Sequence, residues 1–304
     1  MKKPKIVVTS PMNFLPEQRK RLEKLGDVRI YDTLPKSPDE WMKRTEGYEI
    51  VCSGKYGLTE RIYERKNVFY SLPFVAVGWI DIKKLQEAGN TVSYSPGCNS
   101  YAVSEWIISS TLLLMRKFDR LVNTKKLKNK TGSPDYFGLA DKKVCVLGKG
   151  HIGSKVGKVL NSLGMEVSYY GRSDDLIKKV KGRDAVVNTL SSNESTQGLL
   201  DKRFFDSFSG KTFFLTVTSL KIYDSEAMLE ALKKGKLLGV ADDCGSILPG
   251  DYDDPYYKRL LKTTGVIATP HIAYQSDVSI RISNDMLIDN VEAWIKGKPI
   301  HLLK

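Results

Sequence analysis

Residues 144–153 read Val-Cys-Val-Leu-Gly-Lys-Gly-His-Ile-Gly, a short apolar run that leads directly into three glycines. Apolar residues then recur at helical spacing for about three turns. A strand that turns at a glycine and continues as a helix is the pattern that holds the pyrophosphate of a dinucleotide, with the positive end of the helix dipole facing the phosphates. The second glycine lets the backbone approach the phosphates, and the third lets the helix pack on the strand. The predicted cofactor contacts in this loop are Gly148, Gly150, His151, Ile152 and Gly153.

The residues after the next predicted strand decide between NAD and NADP. Proteins that bind NAD usually carry an acid there to hold the ribose hydroxyls. Here the strand Glu166–Tyr170 is followed, one residue later, by Arg172 and Ser173, which offer a guanidinium and a hydroxyl to a 2′-phosphate. The sequence therefore predicts NADP as the cofactor, with Arg172 and Ser173 at its 2′-phosphate. In the alternative, Arg172 is a solvated cation, Asp174 or Asp175 holds the ribose, and NAD is the cofactor.

Length and composition fit two globular domains. The chain has 304 residues, of which 41% are hydrophobic and 27% are charged. The most apolar run, residues 106–115, is too short to span a bilayer and predicts a buried helix. Because the N-terminus has no leader-like apolar stretch, we expect a cytoplasmic protein that does not bind membranes. The four cysteines are widely spaced without a CxxC pair, so we expect buried free thiols and no metal site.

The net charge is strongly positive. The chain carries 48 basic and 35 acidic residues, which gives +13 and would suit a polyanionic partner. The lysines are nevertheless spread along the whole chain, and the one denser stretch, residues 116–130, has few aromatic residues. This distribution favours a solvated surface that attracts a phosphorylated cofactor and a small anionic substrate, and it argues against nucleic acid as a partner.

Strand-like and helix-like segments alternate in both halves of the chain, which predicts parallel sheets covered by helices. A long helical pattern from Ser276 to Trp294 would carry the chain back to its first domain. We therefore expect an α/β fold with two Rossmann-like or flavodoxin-like parallel-sheet domains, a discontinuous first domain, and a cleft between the domains. The predicted domains are residues 1–101 plus 275–304, and residues 102–274. The predicted strands are residues 5–9, 28–31, 49–52, 68–70, 74–77, 142–147, 166–170, 185–190, 211–217, 237–241 and 266–268.

Four further segments resemble the D-isomer-specific 2-hydroxyacid dehydrogenase family. Residues 96–105 read PGCNSYAVSE and are similar to the family's hinge and first crossing helix, PGxNxxAVAE. Residues 164–167 are similar to part of its cofactor half. Residues 224–228 and 269–273 are similar to the segment after its catalytic arginine and to the surroundings of its catalytic histidine. With the glycine loop and the order of the predicted elements, the resemblance covers nearly the whole chain.

In that family a histidine, oriented by a glutamate, exchanges the proton on the substrate oxygen while hydride moves to or from the nicotinamide, and an arginine grips the carboxylate. These groups are needed because negative charge develops on the oxygen as hydride arrives. The resemblance implies that His271 is the catalytic acid and base. It also implies that residues 102–274 bind NAD(P) and that the discontinuous domain binds the substrate. The other implied contacts are Leu190, Thr218 and Asp243 for the cofactor, and Ser53, Lys55, Val75 and Ala76 for the substrate.

The chain departs from the family at the other two catalytic positions. Ser219 stands where the family has its arginine, and Leu248 stands where it has the glutamate. Each change removes a charge, and a serine cannot form the bidentate grip of a guanidinium. Lys221 and Lys55 are candidate replacements for the arginine, and the alternative for each is a solvated surface charge. The candidates for orienting the ring of His271 are Asp251, Asp253 and Asp254, and the alternative for each is again a solvated surface charge.

Two functions are compatible with these residues. The first is an NADP-dependent oxidoreductase with an atypical active site, acting on a small carbonyl or hydroxy compound other than an ordinary 2-oxo acid. The second is a dinucleotide-binding regulatory or scaffold protein whose catalysis has decayed. We also expect a homodimer, because the helix from Ala102 onward is apolar nearly all round and because the resemblance implies a two-fold dimer at this helix.

Overall fold

The structure, a computed structural model, describes residues 3–118 and 137–304. The chain divides into two compact units. One comprises the residues up to Asn99 and from Gln275 onward, and the other comprises Ser100–Tyr274. Most of the basic stretch at residues 116–130 lies outside the described residues. Within the described ranges, no helix is both long enough and apolar enough to cross a bilayer.

The first unit contains a five-stranded parallel sheet in the order β2-β1-β3-β4-β5. On β1, Ile6 and Val8 share a buried cluster with Leu287, whereas Val7 lies in a second cluster with Trp41. Because alternate residues of a strand point to opposite faces, both faces of this sheet are covered. The elements are β1 (Lys5–Val8), α1 (Pro16–Glu23), β2 (Asp27–Ile30), α2 (Pro38–Thr45), β3 (Ile50–Cys52), α3 (Leu58–Arg61), β4 (Phe69–Ser71), α4 (Ile82–Glu87), β5 (Thr91–Ser93) and, at the end of the chain, α11 (Asp277–Ile295).

The second unit contains a six-stranded parallel sheet in the order β11-β10-β9-β8-β6-β7. On β6, Val144 and Val146 pack in a cluster with Ile107, whereas Cys145 and Leu147 face a cluster rich in phenylalanine on the other side. The elements are α5 (Ser100–Met115), β6 (Lys143–Leu147), α6 (His151–Ser162), β7 (Glu166–Tyr170), α7 (Leu176–Val180), β8 (Ala185–Asn188), a short 3-10 helix (Glu194–Thr196), α8 (Lys202–Asp206), β9 (Thr212–Thr216), α9 (Ser225–Lys233), β10 (Leu237–Asp242), α10 (Pro255–Leu261) and β11 (Val266–Ala268).

Two parallel sheets of five and six strands confirm the predicted fold class. The strand predicted at residues 74–77 is wrong, because these residues form a loop after β4 and the fifth strand is Thr91–Ser93. Val75 and Ala76 are exposed, so their β-like composition reflects no buried strand. A three-residue strand such as β5 is too short for hydrophobic periodicity to reveal.

Candidate active site

The glycine loop joins β6 to α6, and its first glycine is required by a positive φ, whereas its third is required by a close contact. Gly148 has a φ of +92°, which L side chains rarely adopt, and its N–H donates to the carbonyl of Tyr170 at 3.2 Å. A Cβ on Gly153 would lie 2.1 Å from the carbonyl oxygen of Gly148 and 2.8 Å from Oγ1 of Thr189. Glycine at position 153 therefore allows α6 to pack this closely on the end of β6.

Gly150 has a different role, since a Cβ there would meet nothing within 4 Å. Gly150 is the N-cap of the 12-residue helix α6, and it supplies no side-chain cap to the first-turn N–H groups. Together with the helix dipole, these N–H groups suit an anion. At the same helix start, His151 is exposed and Ile152 is partly buried. The loop thus fits the pyrophosphate of a dinucleotide.

The turn after β7 contains both groups predicted for a 2′-phosphate. Arg172 and Ser173 are exposed, and their side chains make no hydrogen bond or ion pair with any residue that the structure describes. Asp174 accepts a hydrogen bond from a backbone N–H of the turn at 2.8 Å and pairs with Lys179 at 3.3 Å, and both contacts hold the pKa of its carboxyl below the ordinary value. Asp175 caps α7. Both carboxylates are therefore already engaged within the turn and its helix.

Leu190 and Thr218 follow β8 and β9, at the same sheet edge as the glycine loop. A methyl group of Leu190 lies 3.5 Å from the position of a Cβ on Gly148. Thr218 is buried, and its Oγ1 accepts a hydrogen bond from Nδ2 of Asn188 at 2.8 Å. Ligands of parallel α/β sheets bind at the carboxyl ends of the strands, so both residues lie at the expected edge. Their contacts with a cofactor stay predictions.

Asp243, also predicted to contact the cofactor, shapes the loop that follows β11. Its carboxylate accepts hydrogen bonds from Oγ1 of Thr269 at 2.5 Å and from the N–H groups of Ile272 and Ala273 at 2.9 and 3.0 Å. Its backbone carbonyl accepts the N–H of His271 at 2.8 Å. Burial raises the pKa of the Asp243 carboxyl, and the donors oppose this effect. The structure thus gives Asp243 a role in holding His271, and its contact with a cofactor stays a prediction.

His271 is held by a backbone group. Its φ of +55° is left-handed, which is uncommon for a residue with a side chain. Its Nδ1 lies 2.9 Å from the carbonyl oxygen of Ile247. Because a carbonyl oxygen only accepts, we assign the hydrogen to Nδ1. Nε2 then has no hydrogen-bond partner within residues 3–118 and 137–304, which suits it to proton exchange.

None of the three candidate aspartates bonds the ring of His271, and each is engaged elsewhere, as the alternative of a surface charge implies. Asp253 pairs with Lys258 at 2.7 Å, and Asp254 caps α10. Asp251 accepts a hydrogen bond from the N–H of Asp253 at 3.0 Å. The loop turns directly into α10, so the three carboxylates serve the loop and the helix start. The position beside Nδ1 belongs to the Ile247 carbonyl, and no side-chain pattern indicates a backbone acceptor.

Ser219 lies in a loop that touches a second loop, residues 244–248. Its Oγ lies 3.0 Å from Oγ of Ser246. A Cβ on Gly245 would lie 2.6 Å from the carbonyl oxygen of Thr218, so the two backbones pass close together. A pair of neutral hydroxyls thus occupies the position at which the resemblance places a guanidinium.

Leu248, at the position of the missing glutamate, is 74% exposed. It directly follows Ile247, whose carbonyl holds the ring of His271. Lys221 is exposed, and its side chain makes no ion pair with the described part of the chain. It thus remains a candidate cation for this region, and its role stays a prediction.

A buried acid that no sequence pattern indicates lies at the end of β10. Both tyrosine hydroxyls, of Tyr223 and Tyr256, donate to Oδ2 of Asp242 at 2.6 and 2.7 Å, and the N–H of Cys244 donates to Oδ1 at 2.7 Å. Burial raises the pKa of Asp242 to about 6, although these donors lower it. The cluster ties the loop after β9 to the start of α10. Its members are 14 and 19 residues from Asp242 along the chain, so only the fold brings them together.

In the first unit, the hydroxyl of Ser53 is fully used within the protein. It lies 2.8 Å from Oγ1 of Thr9, accepts a hydrogen bond from Nε1 of Trp41 at 2.9 Å and donates to the carbonyl of Gly54 at 2.8 Å. The predicted substrate contact of Ser53 is therefore restricted to its backbone amide, and that contact stays a prediction.

Lys55, Val75 and Ala76 form a more open group. Nζ of Lys55 lies 5.5 Å from the centroid of the Phe74 ring. Partial desolvation lowers the pKa of the Lys55 ammonium, although the residue is still exposed. The N–H groups of Val75 and Ala76 donate to no acceptor in the described parts of the chain. The ammonium of Lys55 and the free amides of Val75 and Ala76 suit the anionic group of a ligand.

The described residues include no group of three or more His, Cys, Asp or Glu side chains that could hold a metal ion. All four cysteines are buried and unpaired. Burial raises the pKa of the Cys98 thiol to about 11, so this thiol is poorly suited to act as a nucleophile.

Comparison with known proteins gives concordant matches. Residues 108–273 match the model of the NAD-binding domain of D-isomer specific 2-hydroxyacid dehydrogenases. The chain is 24% identical to an NAD⁺-dependent D-2-hydroxyacid dehydrogenase of Lacticaseibacillus paracasei, over 84% of each chain. It is 23% identical to a hydroxypyruvate reductase of Blautia hydrogenotrophica, over 93% of this chain and 94% of the relative.

Solved structures show the same fold. An acyclic imino acid reductase in complex with NADPH and D-Arg matches with a TM-score of 0.82 and 20% identity, over 99% of this chain and all of the other. A D-lactate dehydrogenase of Treponema pallidum matches with a TM-score of 0.81 and 18% identity, over 99% of each chain.

Proposed function

Because the chain belongs to the D-isomer specific 2-hydroxyacid dehydrogenase family, we propose that it is an NADP-dependent oxidoreductase that transfers hydride to or from a small anionic carbonyl or hydroxy compound. The observation that carries this proposal is the arrangement of His271. Its Nδ1 is held by the carbonyl of Ile247, and its Nε2 has no partner among the described residues. In this proposal Nε2 gives a proton to the substrate oxygen during reduction and takes it back during oxidation.

In this proposal each group of the site has a separate role. When bound, the nicotinamide supplies or accepts the hydride. The start of α6 binds the pyrophosphate, and Asp243 keeps the His271 loop in its left-handed turn. As negative charge grows on the substrate oxygen, protonated His271 neutralises it through Nε2. The Ile247 carbonyl holds Nδ1–H throughout the reaction, so ring orientation does not depend on a carboxylate.

The proposed substrate class rests on the group formed by Lys55, Val75 and Ala76, and on Ser219. Lys55 and the free amides of Val75 and Ala76 bind the anionic group of the substrate in this proposal. Ser219 offers a hydroxyl where an arginine would form a two-point grip, so an ordinary 2-oxo acid is held less firmly. The test substrates therefore extend beyond ordinary 2-oxo acids to other anionic carbonyl compounds. The structural likeness to an imino acid reductase adds 2-imino acids, in which Nε2 would act on the imine nitrogen instead of an oxygen.

A turnover screen tests the catalytic proposal. Purified protein is mixed with NADPH and a panel of 2-oxo acids, other anionic carbonyl compounds and 2-imino acids, and oxidation of the cofactor is followed by absorbance. We expect turnover of at least one compound and a loss of about 10²- to 10⁴-fold in His271→Ala. His301→Ala is the matched control, because that ring is bonded to Asn290 at 2.9 Å. Absence of turnover with every compound would contradict the proposal.

The proposed preference for NADP rests on the free side chains of Arg172 and Ser173 and on the engagement of Asp174 and Asp175. A 2′-phosphate carries close to two negative charges, so pairing with Arg172 and a hydrogen bond from Ser173 should contribute about 1.5 to 3 kcal/mol, or about tenfold to a hundredfold in affinity. Arg172→Ala should remove most of the difference between NADPH and NADH while leaving NADH affinity nearly unchanged. Fluorescence titration measures the affinities for NADPH and NADH. In the unmodified protein, the difference between them should shrink as salt is added.

A homodimer through α5 and α6 is the proposed assembly. Leu112 and Leu113 of α5 are each 38% exposed, and Val159 and Leu163, on and just after α6, are 39% and 42% exposed. These apolar side chains suit a second copy of the chain. Light scattering at micromolar concentration should give twice the monomer mass.

The second candidate function, a regulatory or scaffold protein, is favoured by the Ser219–Ser246 pair and by the exposed Leu248, since neither position retains a charge. This candidate shares the cofactor site but requires no chemistry. It predicts tight binding of NADPH together with no oxidation of it by any compound of the panel.

A further inference from the structure

We propose that Lys149, the second residue of the glycine loop, is a further determinant of cofactor specificity and binds the 2′-phosphate of NADP together with Arg172. This inference rests on the proposed function, because it names an additional residue of the same cofactor site. Lys149 differs from the glycines of the loop, since they shape the backbone for any dinucleotide, whereas an ammonium favours the dinucleotide with the extra phosphate.

The backbone brings Lys149 and Arg172 to neighbouring points of one sheet edge. Gly148, which precedes Lys149, donates its N–H to the carbonyl of Tyr170 at 3.2 Å. Tyr170 is the last residue of β7, and Arg172 follows two residues later. Lys149 is exposed and makes no ion pair with the described residues. Its charge, like that of Arg172, is thus available to a ligand.

A tyrosine ring directs the Lys149 side chain toward β7. Nζ of Lys149 lies 5.1 Å from the centroid of the Tyr169 ring, a cation–π contact. Tyr169 is the penultimate residue of β7, so the ammonium lies beside the strand whose end leads to Arg172. A side chain that is already held by a ring loses less conformational entropy when it binds a phosphate.

Helix α6 makes room for this ring. A Cβ on Gly157 would lie 2.1 Å from the hydroxyl oxygen of Tyr169 and 2.8 Å from its Cζ. The glycine therefore admits the ring between α6 and β7, and the ring in turn supports Lys149. The contact between lysine and tyrosine depends on a packing feature of the helix, which distinguishes it from a chance meeting of two surface side chains.

The two carboxylates of the turn after β7 do not neutralise the positive charges of Lys149 and Arg172. Asp174 is bonded to a backbone N–H of its own turn and to Lys179, and Asp175 is used in capping α7. A phosphate with close to two negative charges gains from a second cation. Lys149 and Arg172 together should therefore bind the 2′-phosphate more firmly than Arg172 alone.

Titration of NADPH and NADH against single variants of the full-length protein tests the inference. Lys149→Met keeps the length of the side chain and removes its charge, and it should weaken NADPH about tenfold while changing NADH affinity less than about twofold. Lys149→Arg keeps the positive charge and should retain the preference for NADPH. Lys158→Met, at an exposed position of α6, the helix that follows the loop, is the matched control and should leave the ratio of the two affinities unchanged. Tyr169→Leu should lower the ratio by less than Lys149→Met does.

The outcomes separate this inference from the proposed function. Equal weakening of NADPH and NADH in Lys149→Met would assign the lysine to the pyrophosphate and overturn the inference. An unchanged ratio in Lys149→Met, with the ratio lost in Arg172→Ala, would overturn the inference and leave the proposed function intact. Equal affinity of the unmodified protein for both cofactors would overturn the NADP preference itself, and this inference with it.

Discussion

The glycine loop and the loops around His271 lie at the same edge of one sheet but differ in what specifies them. In the glycine loop, contacts explain the residues directly: Gly153 is required by the 2.1 Å approach of a Cβ to a carbonyl, and Gly150 leaves the helix start open. Around His271, a backbone carbonyl and a pair of hydroxyls occupy positions where the family resemblance implies charged side chains. A site for a common cofactor thus depends on backbone shape, whereas a site for a particular substrate can change its side chains on the same backbone.

Gly153→Ala should disrupt the glycine loop and have the largest effect of the substitutions considered. The new methyl group would push α6 away from β6, and such overpacking costs about 1 to 3 kcal/mol in the free energy of unfolding. Because the loop is distorted as well, NADPH affinity should fall by more than about tenfold. Urea unfolding and cofactor titration measure the two effects.

Gly150→Ala is the matched control for that prediction. Its Cβ meets nothing within 4 Å, and a φ of −82° suits alanine, so the free energy of unfolding should be unchanged. Cofactor affinity should still fall, because the methyl group occupies space beside the open helix start. Equal destabilisation by both substitutions would show that the contrast between packing and binding glycines is incorrect.

Asp242 allows a second test, because this buried acid lies at the end of β10, directly before the loop that holds His271, and the glycine loop contains no acid. With its pKa raised to about 6, the folded protein binds the proton more tightly than the unfolded chain does. The contribution of this residue to stability is therefore greatest below about pH 4, declines as the pH rises toward 6, and is constant above that value.

Asp242→Asn should remove this decline. We expect the free energy of unfolding of the variant, relative to the unmodified protein, to rise by about 2 kcal/mol between pH 4 and pH 7. Urea unfolding at several pH values measures it. A difference between the two proteins that stays constant with pH would refute the assignment of a raised pKa to Asp242.

Ser219→Arg should alter the loops around His271 and have the smallest effect of these substitutions. A guanidinium at this position can grip a carboxylate at two points, so kcat/KM for a 2-oxo acid should rise about fivefold. Ser219→Ala is the control and should give no rise, because it only removes the hydroxyl pair with Ser246. Lower turnover of every 2-oxo acid in Ser219→Arg would count against a substrate-facing role for this loop.

How far the sequence predicts the structure differs between the same two regions. The glycine loop is predictable because its strand, turn and helix are continuous in the chain, and each glycine answers a local requirement. The fold class is predictable for a similar reason, since the alternation of strands and helices is regular. The strand predicted at residues 74–77 is wrong because local composition cannot distinguish an exposed loop from a buried strand.

The partners of His271 could not be predicted from side chains. Its orienting group is the carbonyl of Ile247, 24 residues away, and a backbone acceptor leaves no mark in the sequence. The cluster of Asp242 with Tyr223 and Tyr256 likewise depends on how two loops meet. The role of His271 itself could be proposed from the sequence, because the surrounding segment resembles a known catalytic motif.

The central claim is that His271, held by a backbone carbonyl, still supports hydride transfer. Single-turnover transfer of deuterium from NADPH labelled at C4 of the nicotinamide tests it directly, since mass spectrometry of the product separates chemistry from binding. The unmodified protein should move the label to a 2-oxo or 2-imino acid, and His271→Asn should slow this step about 10²- to 10⁴-fold with unchanged NADPH affinity. Tight binding of NADPH with no label transferred, or transfer at the same rate in His271→Asn, would contradict the account.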